Sequence, residues 1–154
     1  MKRKFIHNQK FKNRHRAREL AVQFLYSLDL NPAENFNNAL ELFLSIDDLT
    51  LNESEEVKNY CRELVKDVLE RSSEVDKLLL RTVTGWSPSR MVSVDRIILK
   101  LTIVEGFIIK KLPAQSAIAE AAMLANDFGT QDSARFVNGV LARIYKLFNN
   151  NSKE

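Results

Sequence analysis

Apolar residues recur along most of the chain at intervals of three and four positions, the spacing that places them on one face of an α-helix. One such stripe runs from Ala17 through Leu20 and Phe24 to Leu28. The pattern predicts seven helices. They begin near Asn13, near Asn35, after Asn52 or Ser54, at Ser72 or Ser73, at Ser93, near Ser116, and at Asp132 or Ser133.

Breaks in the pattern coincide with residues that end helices. Pro32 and Pro113 interrupt it because the residue before a proline avoids the helical region, and Gly129 suits a helix end. The predicted helix at 93–110 is apolar on most of its circumference, which is typical of a central helix. With only four glycines and three prolines, the chain is predicted to be all-α, a compact bundle of about seven helices.

Charge is distributed unevenly along the chain. Residues 1–18 contain eight lysines and arginines and no acidic residue, whereas the rest carries 15 basic and 20 acidic residues. Such a block is typical of an arm that binds a polyanion, although a solvated tail without a ligand is the simpler alternative. We therefore divide the chain into a basic flexible arm at 1–12, a helical domain at 13–148 and a polar tail at 149–154.

The spacing of three arginines bears on how this arm would bind. Arg14, Arg16 and Arg18 alternate along the chain, so on a helix they would point in different directions around the axis. An extended or partly folded segment that follows an RNA backbone fits this spacing, and arginine-rich segments often fold on RNA.

The sequence offers few of the residues that catalysis or metal binding requires. His7, His15 and Cys61 are too few for a usual Cys/His zinc site, and the glycines do not form a phosphate-binding loop. Cys61 lies on an apolar stripe, which favours an inert core thiol over a nucleophile. We find no catalytic residue, and we expect a non-enzymatic protein without a metal or cofactor.

The chain also lacks signs of a membrane or secretory location. Its most apolar stretch, 97–112, contains four charged residues that a bilayer-spanning helix rarely tolerates. A single cysteine cannot form an intramolecular disulfide, as is usual in a reducing compartment. We expect a cytoplasmic protein with no membrane partner.

Two segments resemble sequence signatures of the NusB family. The opening motif, residues 14–26 (RHRARELAVQFLY), resembles the family's arginine-rich start, which leads into a helix with a tyrosine. The closing motif, residues 132–141 (DSARFVNGVL), resembles the signature near the family's end, and segments 94–101 and 113–124 follow the same order between them. The chain departs from the family pattern at Val104, Gly106 and Ala119, where a tyrosine, a leucine and an asparagine are usual.

The resemblance implies an all-α protein that binds boxA-type RNA, a short single-stranded signal in ribosomal RNA leaders. It further implies a transcription antitermination factor that works with ribosomal protein NusE in the transcription elongation complex and supports ribosomal RNA maturation. Whether the free protein forms a homodimer stays open. The residues implied to bind RNA are Arg14, Arg16, Arg18, Tyr26, Arg135 and Asn138, and Asp95 matches an acidic position linked to the protein partner.

Some of these residues have simpler structural interpretations. Tyr26 suits the rim of the core as well as an RNA surface, and Phe136 lies on an apolar stripe that favours core packing over a base contact. Asp95 would also complement the dipole in the first turn of a helix. Gly139 lies within a predicted helix, where glycine costs about 1 kcal/mol relative to alanine. Close helix packing, the commoner reason, or close approach of RNA would offset that cost.

Two functions from other classes also fit the sequence. One is a helical protein-interaction module whose arm binds polyanions nonspecifically and incidentally. The other is an accessory domain of an RNA-modifying enzyme, since NusB-like domains also occur fused to RNA methyltransferases. No residues remain in this chain for such a catalytic domain.

Overall fold

The computed structural model describes residues 2–46, 48, 50–87 and 91–152, with the backbone alone at 2–7, 46, 151 and 152. These residues form six α-helices, one π-helical segment and no β-strand. The elements are α1 (Lys2–Leu30), α2 (Phe36–Ile46), α3 (Glu55–Thr82), α4 (Ser93–Ile103), the π segment (Val104–Ile108), α5 (Ala114–Phe128) and α6 (Ser133–Ser152). The prediction of an all-α fold is therefore confirmed, with six α-helices in the described residues rather than seven.

The chain divides into two compact units, residues 1–66 and 67–154, and the boundary falls within α3. In the first unit, α1 and α2 are in contact, and the rings of Phe24 and Phe43 lie 5.6 Å apart. The buried apolar residues of this unit fall at helical spacing along α1, α2 and the first part of α3, as the pattern predicts. They include Leu20, Ala21, Phe24, Leu40, Leu44, Val57, Cys61 and Leu64.

In the second unit, α4, the π segment, α5 and α6 pack against one another. The α4 residues Ile98, Leu99 and Leu101 are all fully buried. Together with the buried Ile97 and Ile103, their directions cover about 240° of the helix circumference at about 100° per residue, in agreement with the predicted central position of this helix. In the π segment, a Cβ atom added to Gly106 would overlap the Cβ atom of Ala117 in α5. Glycine at this position therefore allows the two elements to approach closely.

The third and fourth predicted helices form one continuous helix, α3, so the predicted cap at Ser72 or Ser73 is wrong. Serine favours helix starts because its hydroxyl can bond to nearby backbone groups. Here the hydroxyl of Ser72 accepts a 2.7 Å hydrogen bond from Nζ of Lys100 instead. The side chain thus has a tertiary partner, and the helix continues through the serines. At the start of α3, Ser54 is the cap, since its Oγ accepts a bond from the Val57 amide at 3.3 Å.

Two further helix limits differ from the sequence pattern. The first helix begins at Lys2 rather than near Asn13, while the division into arm, domain and tail stays a prediction. The helix predicted at 93–110 changes to π geometry at Val104 and ends where Lys110 adopts a positive φ of 60°. No helix in the described part of the chain combines the length and the apolar character needed to cross a bilayer.

Candidate functional site

Arg14 and Arg18 lie one turn apart on α1, and both reach the ring of Tyr60 on α3. The Cζ atom of Arg14 is 4.9 Å from the ring centroid, and that of Arg18 is 5.9 Å away. At such distances the negative face of an aromatic ring attracts a guanidinium group. Residues four apart share a helix face. Arg14 and Arg18 therefore point in the same direction, although the alternation of the three arginines predicts that they point in different directions around a helix. This segment is also helical rather than extended.

Arg18 is buried within the first unit. Its residue surface is only 2% exposed, and buried charges in proteins normally have partners because burial removes their hydration. A direct phosphate contact by Arg18 would require this packing to open. The side chain therefore shapes the site from within, whereas Arg14 is only half-buried.

Arg16 points to a different set of groups. Its Nε atom lies 2.5 Å from Oε1 of Glu53, and its Nη1 atom lies 3.5 Å from Oε1 of Glu19. The Arg16 side chain is 32% exposed, so it lies at the surface but is already engaged by two carboxylates.

A second polar contact joins α1 to the start of α3 near this pair. Asn13 donates a 3.2 Å hydrogen bond from Nδ2 to Oε2 of Glu56 and accepts a 3.0 Å bond from the side chain of Gln9. Acidic residues at the start of a helix are favoured by the helix dipole alone. In the structure, Glu53 and Glu56 also contact the polar side chains of the opening motif and its lead-in.

Tyr26 lies farther along α1 and is 38% exposed. Eight residues separate it from Arg18, a rise of about 12 Å along a helix. Its ring is thus a surface group rather than part of the buried core. This partial exposure fits both interpretations, the rim of the core and a binding surface.

The closing motif is open to solvent on one face of α6. Arg135, Asn138 and Gly139 are all exposed, while Val137, Val140 and Leu141 point into the core. A Cβ atom added to Gly139 would meet nothing within 4 Å in the described structure. Close helix packing, the commoner reason for a glycine within a helix, is therefore excluded at this position among the described residues.

Phe136 and Asp95 both line one cavity within the second unit. The cavity has a volume of about 460 Å³, and its lining also includes Asp132. Phe136 is half-buried rather than part of the core. Asp95 lies in the first turn of α4 and is 6% exposed, and its Oδ1 atom has no hydrogen-bond partner among the described residues. Such a buried carboxylate oxygen is costly unless a donor reaches it.

The environment of Cys61 supports its interpretation as an inert core thiol. It is fully buried, and burial raises the pKa of its thiol to about 12. Because the thiolate is the reactive form, this thiol is a poor nucleophile near neutral pH.

Sequence reasoning missed Tyr60 and Glu53 as partners of the arginines. Tyr60 is part of the apolar stripe of α3, and Glu53 stands before the start of that helix. Only their position next to α1, 37 residues away in the case of Glu53 and Arg16, identifies them. Acidic residues are common in this chain, so an acidic residue 37 positions from a basic one does not by itself indicate this pairing.

Comparisons with known proteins agree on one family. A model of the NusB family matches residues 15–146. The transcription antitermination protein NusB of Oceanobacillus iheyensis is 39% identical over 132 residues, which cover 86% of this chain and 98% of that protein. NusB of Symbiobacterium thermophilum is 35% identical over 137 residues, covering 87% and 90% of the two chains.

Solved structures of NusB proteins have the same fold as this chain. NusB of T. maritima superposes with a TM-score of 0.75 at 31% identity, covering 86% of this chain and 90% of that one. A structure described as antitermination factors NusB and NusE in complex with dsRNA gives a TM-score of 0.76 at 24% identity, covering 88% and 98%. At that lower identity, the likeness supports the fold alone.

Proposed function

Because the chain belongs to the NusB family, as the two motifs predicted, we propose that it is an RNA-binding transcription antitermination factor. Its ligand would be a boxA-type single-stranded RNA, and its protein partner would be NusE. The protein would act by binding rather than by catalysis, in the cytoplasm and within the transcription elongation complex.

The observation that carries this proposal is the extent of the family match. Residues 15–146 include nearly the whole opening motif and all of the closing motif. The relatives that match over this length are named transcription antitermination proteins. A match restricted to one helix would support only a shared fold element, whereas this one spans both units.

On the first unit, we assign the phosphate contacts to the basic side chains of α1. Lys10 and Lys12 are exposed, and Arg14 is half-exposed beside Tyr60. Single-stranded RNA binding combines such cations with aromatic groups on which bases stack, and Tyr26 offers an exposed ring on the same helix. Arg18 would act by supporting Tyr60 and α1 rather than by touching RNA.

On the second unit, we assign polar contacts with RNA to Arg135 and Asn138. Both side chains are exposed on α6. An amide side chain can both donate to and accept from a base edge, so Asn138 suits sequence preference. Arg135 suits a phosphate, since its guanidinium can donate two parallel hydrogen bonds.

The protein partner is assigned to the cavity around Asp95. The unpaired carboxylate oxygen there would accept a hydrogen bond from a donor that NusE inserts. The solved complex of NusB and NusE, whose NusB shares the fold of this chain, makes NusE the partner to test.

The decisive experiment measures binding of a boxA RNA and a scrambled RNA of equal composition, with and without NusE, at two salt concentrations. The proposal expects a preference for boxA that persists when salt weakens both affinities, because charge alone cannot distinguish the two sequences. Equal affinities for both RNAs in the presence of NusE would contradict it.

A second candidate, a protein-interaction module with nonspecific affinity for polyanions, is favoured by one observation. Arg16 and Arg18 are engaged within the first unit rather than offered to a ligand. This candidate expects tight binding of NusE together with RNA affinities that differ only in response to salt. The same experiment therefore separates the two functions.

A further inference from the structure

The pairing of Arg16 with Glu53 has a consequence for RNA binding that depends on the function proposed above. Two carboxylates, from Glu53 and Glu19, lie next to one guanidinium group. Counting formal charges, the cluster of these three side chains carries −1. A phosphate approaching Arg16 therefore meets a guanidinium group that is already paired with two carboxylates.

Glu53 is held in this position by a defined turn. Its amide donates a 3.0 Å hydrogen bond to the carbonyl oxygen of Thr50. Thr50 is fully buried, and its hydroxyl donates a 2.6 Å bond to the carbonyl oxygen of Phe43. On the other side, Ser54 caps α3. The carboxylate of Glu53 is thus supplied by an anchored segment rather than by a loose loop.

We propose that Glu53 is an intramolecular competitor of RNA: it occupies Arg16 in the free protein, and an RNA phosphate must displace it to use this arginine. The pair is partly exposed, and exposed ion pairs are weak enough to be exchanged for another anion. Glu53 would thereby lower the affinity of the opening motif for every polyanion and set a threshold that a ligand must exceed.

The test is the affinity of the full-length Glu53→Gln variant for a boxA RNA and for its scrambled control. Glutamine keeps the size of the side chain and removes the charge. At low salt we expect both RNAs to bind about twofold to fivefold more tightly than they bind the wild type, the range for releasing an exposed ion pair. The gain should shrink as salt is raised, because screening weakens the pair that has been removed.

A matched control exists in the same unit. Arg62 and Glu41 form a comparable pair, with Nε 2.7 Å from Oε1 and an Arg62 side chain that is 31% exposed. This contact lowers the pKa of Glu41, so Glu41 is charged at neutral pH. Glu41→Gln changes the net charge of the protein by the same amount without freeing Arg16. We expect it to leave RNA affinity nearly unchanged.

A double-mutant cycle makes the inference specific to Arg16. In the Arg16→Gln background, Glu53→Gln should no longer raise RNA affinity, since no arginine is left to release. A gain that persists in this background, or an equal gain from Glu41→Gln, would show a general charge effect and overturn the proposal. Weaker binding by Glu53→Gln would overturn it as well, because Glu53 would then position Arg16 for RNA. If the wild type does not bind RNA at all, the proposed function fails together with this inference.

Discussion

The opening and closing motifs carry similar side chains, yet the structure surrounds them differently. In the opening motif, Arg18 is buried, Arg14 lies over the ring of Tyr60, and Arg16 is paired with carboxylates. In the closing motif, Arg135 and Asn138 are exposed on α6, and neither side chain has a hydrogen bond or ion pair among the described residues. Arginine therefore serves the fold at Arg18 of the opening motif and is available to a ligand at Arg135 of the closing motif.

This contrast shows why basic residues in a motif are not equivalent. An arginine whose guanidinium is packed inside cannot exchange its partners for phosphate without loss of folding free energy. An exposed arginine loses little when it changes partner. The following substitutions test the contrast; the first is expected to have the largest effect and the last the smallest.

The largest effect is expected for the buried arginine. Arg18→Ala should lower the free energy of unfolding by about 2–3 kcal/mol, because it removes a buried side chain that packs beside the Tyr60 ring and leaves its space unfilled. Arg135→Ala should change it by less than about 0.5 kcal/mol, as is usual at exposed sites. Urea denaturation monitored by circular dichroism measures both. Equal destabilisation by the two substitutions would refute the contrast between the motifs.

Arg14 is expected to affect binding more than folding. Arg14→Ala should weaken RNA affinity by about fivefold and reduce the magnitude of the salt slope by about 0.7, the value for one phosphate contact with a single strand. The affinity is measured by fluorescence anisotropy at several salt concentrations. Arg143→Ala, an exposed position on α6 outside both motifs, is the control for loss of one positive charge. An unchanged salt slope would remove Arg14 from the phosphate contacts.

Gly139 and Gly106 should respond in opposite ways to alanine. At Gly139 an added methyl group has free space, so Gly139→Ala should raise the free energy of unfolding by up to about 1 kcal/mol through better helix propensity. At Gly106 the methyl group would overlap Ala117, and overpacking of this kind lowers stability by about 1–3 kcal/mol.

For Gly139→Ala, RNA affinity is a second quantity to measure, beside the free energy of unfolding. If a ligand approaches α6 closely, Gly139→Ala should bind boxA RNA more weakly although it is more stable. Undiminished affinity in this stabilised variant would show that Gly139 is not needed for close approach.

The smallest effect is expected for Asn138. Asn138→Ala should reduce the ratio of boxA affinity to scrambled affinity by about threefold, since one neutral hydrogen bond contributes a net of about 0.5–1.5 kcal/mol. The salt slope should stay the same because no charge changes. Asn150→Ala on the same helix, also at an exposed position, is the control. A threefold loss with both RNAs alike would mean that Asn138 does not contribute to sequence preference.

Much of the fold could be predicted because helix faces are a local property. Most residues that recur at intervals of three and four positions, such as Leu20, Phe24, Leu64 and Leu141, are buried, whereas Leu28 is only half-buried. The predicted start of a new helix at Ser72 or Ser73 is wrong. The hydroxyl of Ser72 accepts a hydrogen bond from Lys100, 28 residues away in sequence, instead of capping a helix. The change to π geometry at Val104 coincides with the close approach of Gly106 and Ala117, which no local pattern indicates.

Some properties of the candidate site could likewise be predicted from the sequence, and others could not. The sequence by itself determined that positive charge is concentrated near the start, that two motifs match the NusB family, and that the chain is helical. These follow from composition, residue order and periodicity. Only the tertiary structure decided that Arg18 is buried, that Arg16 already has carboxylate partners, and that Gly139 faces open space. Those properties depend on neighbours that folding brings together across tens of residues, and the burial and partners of a charged side chain set what it can bind.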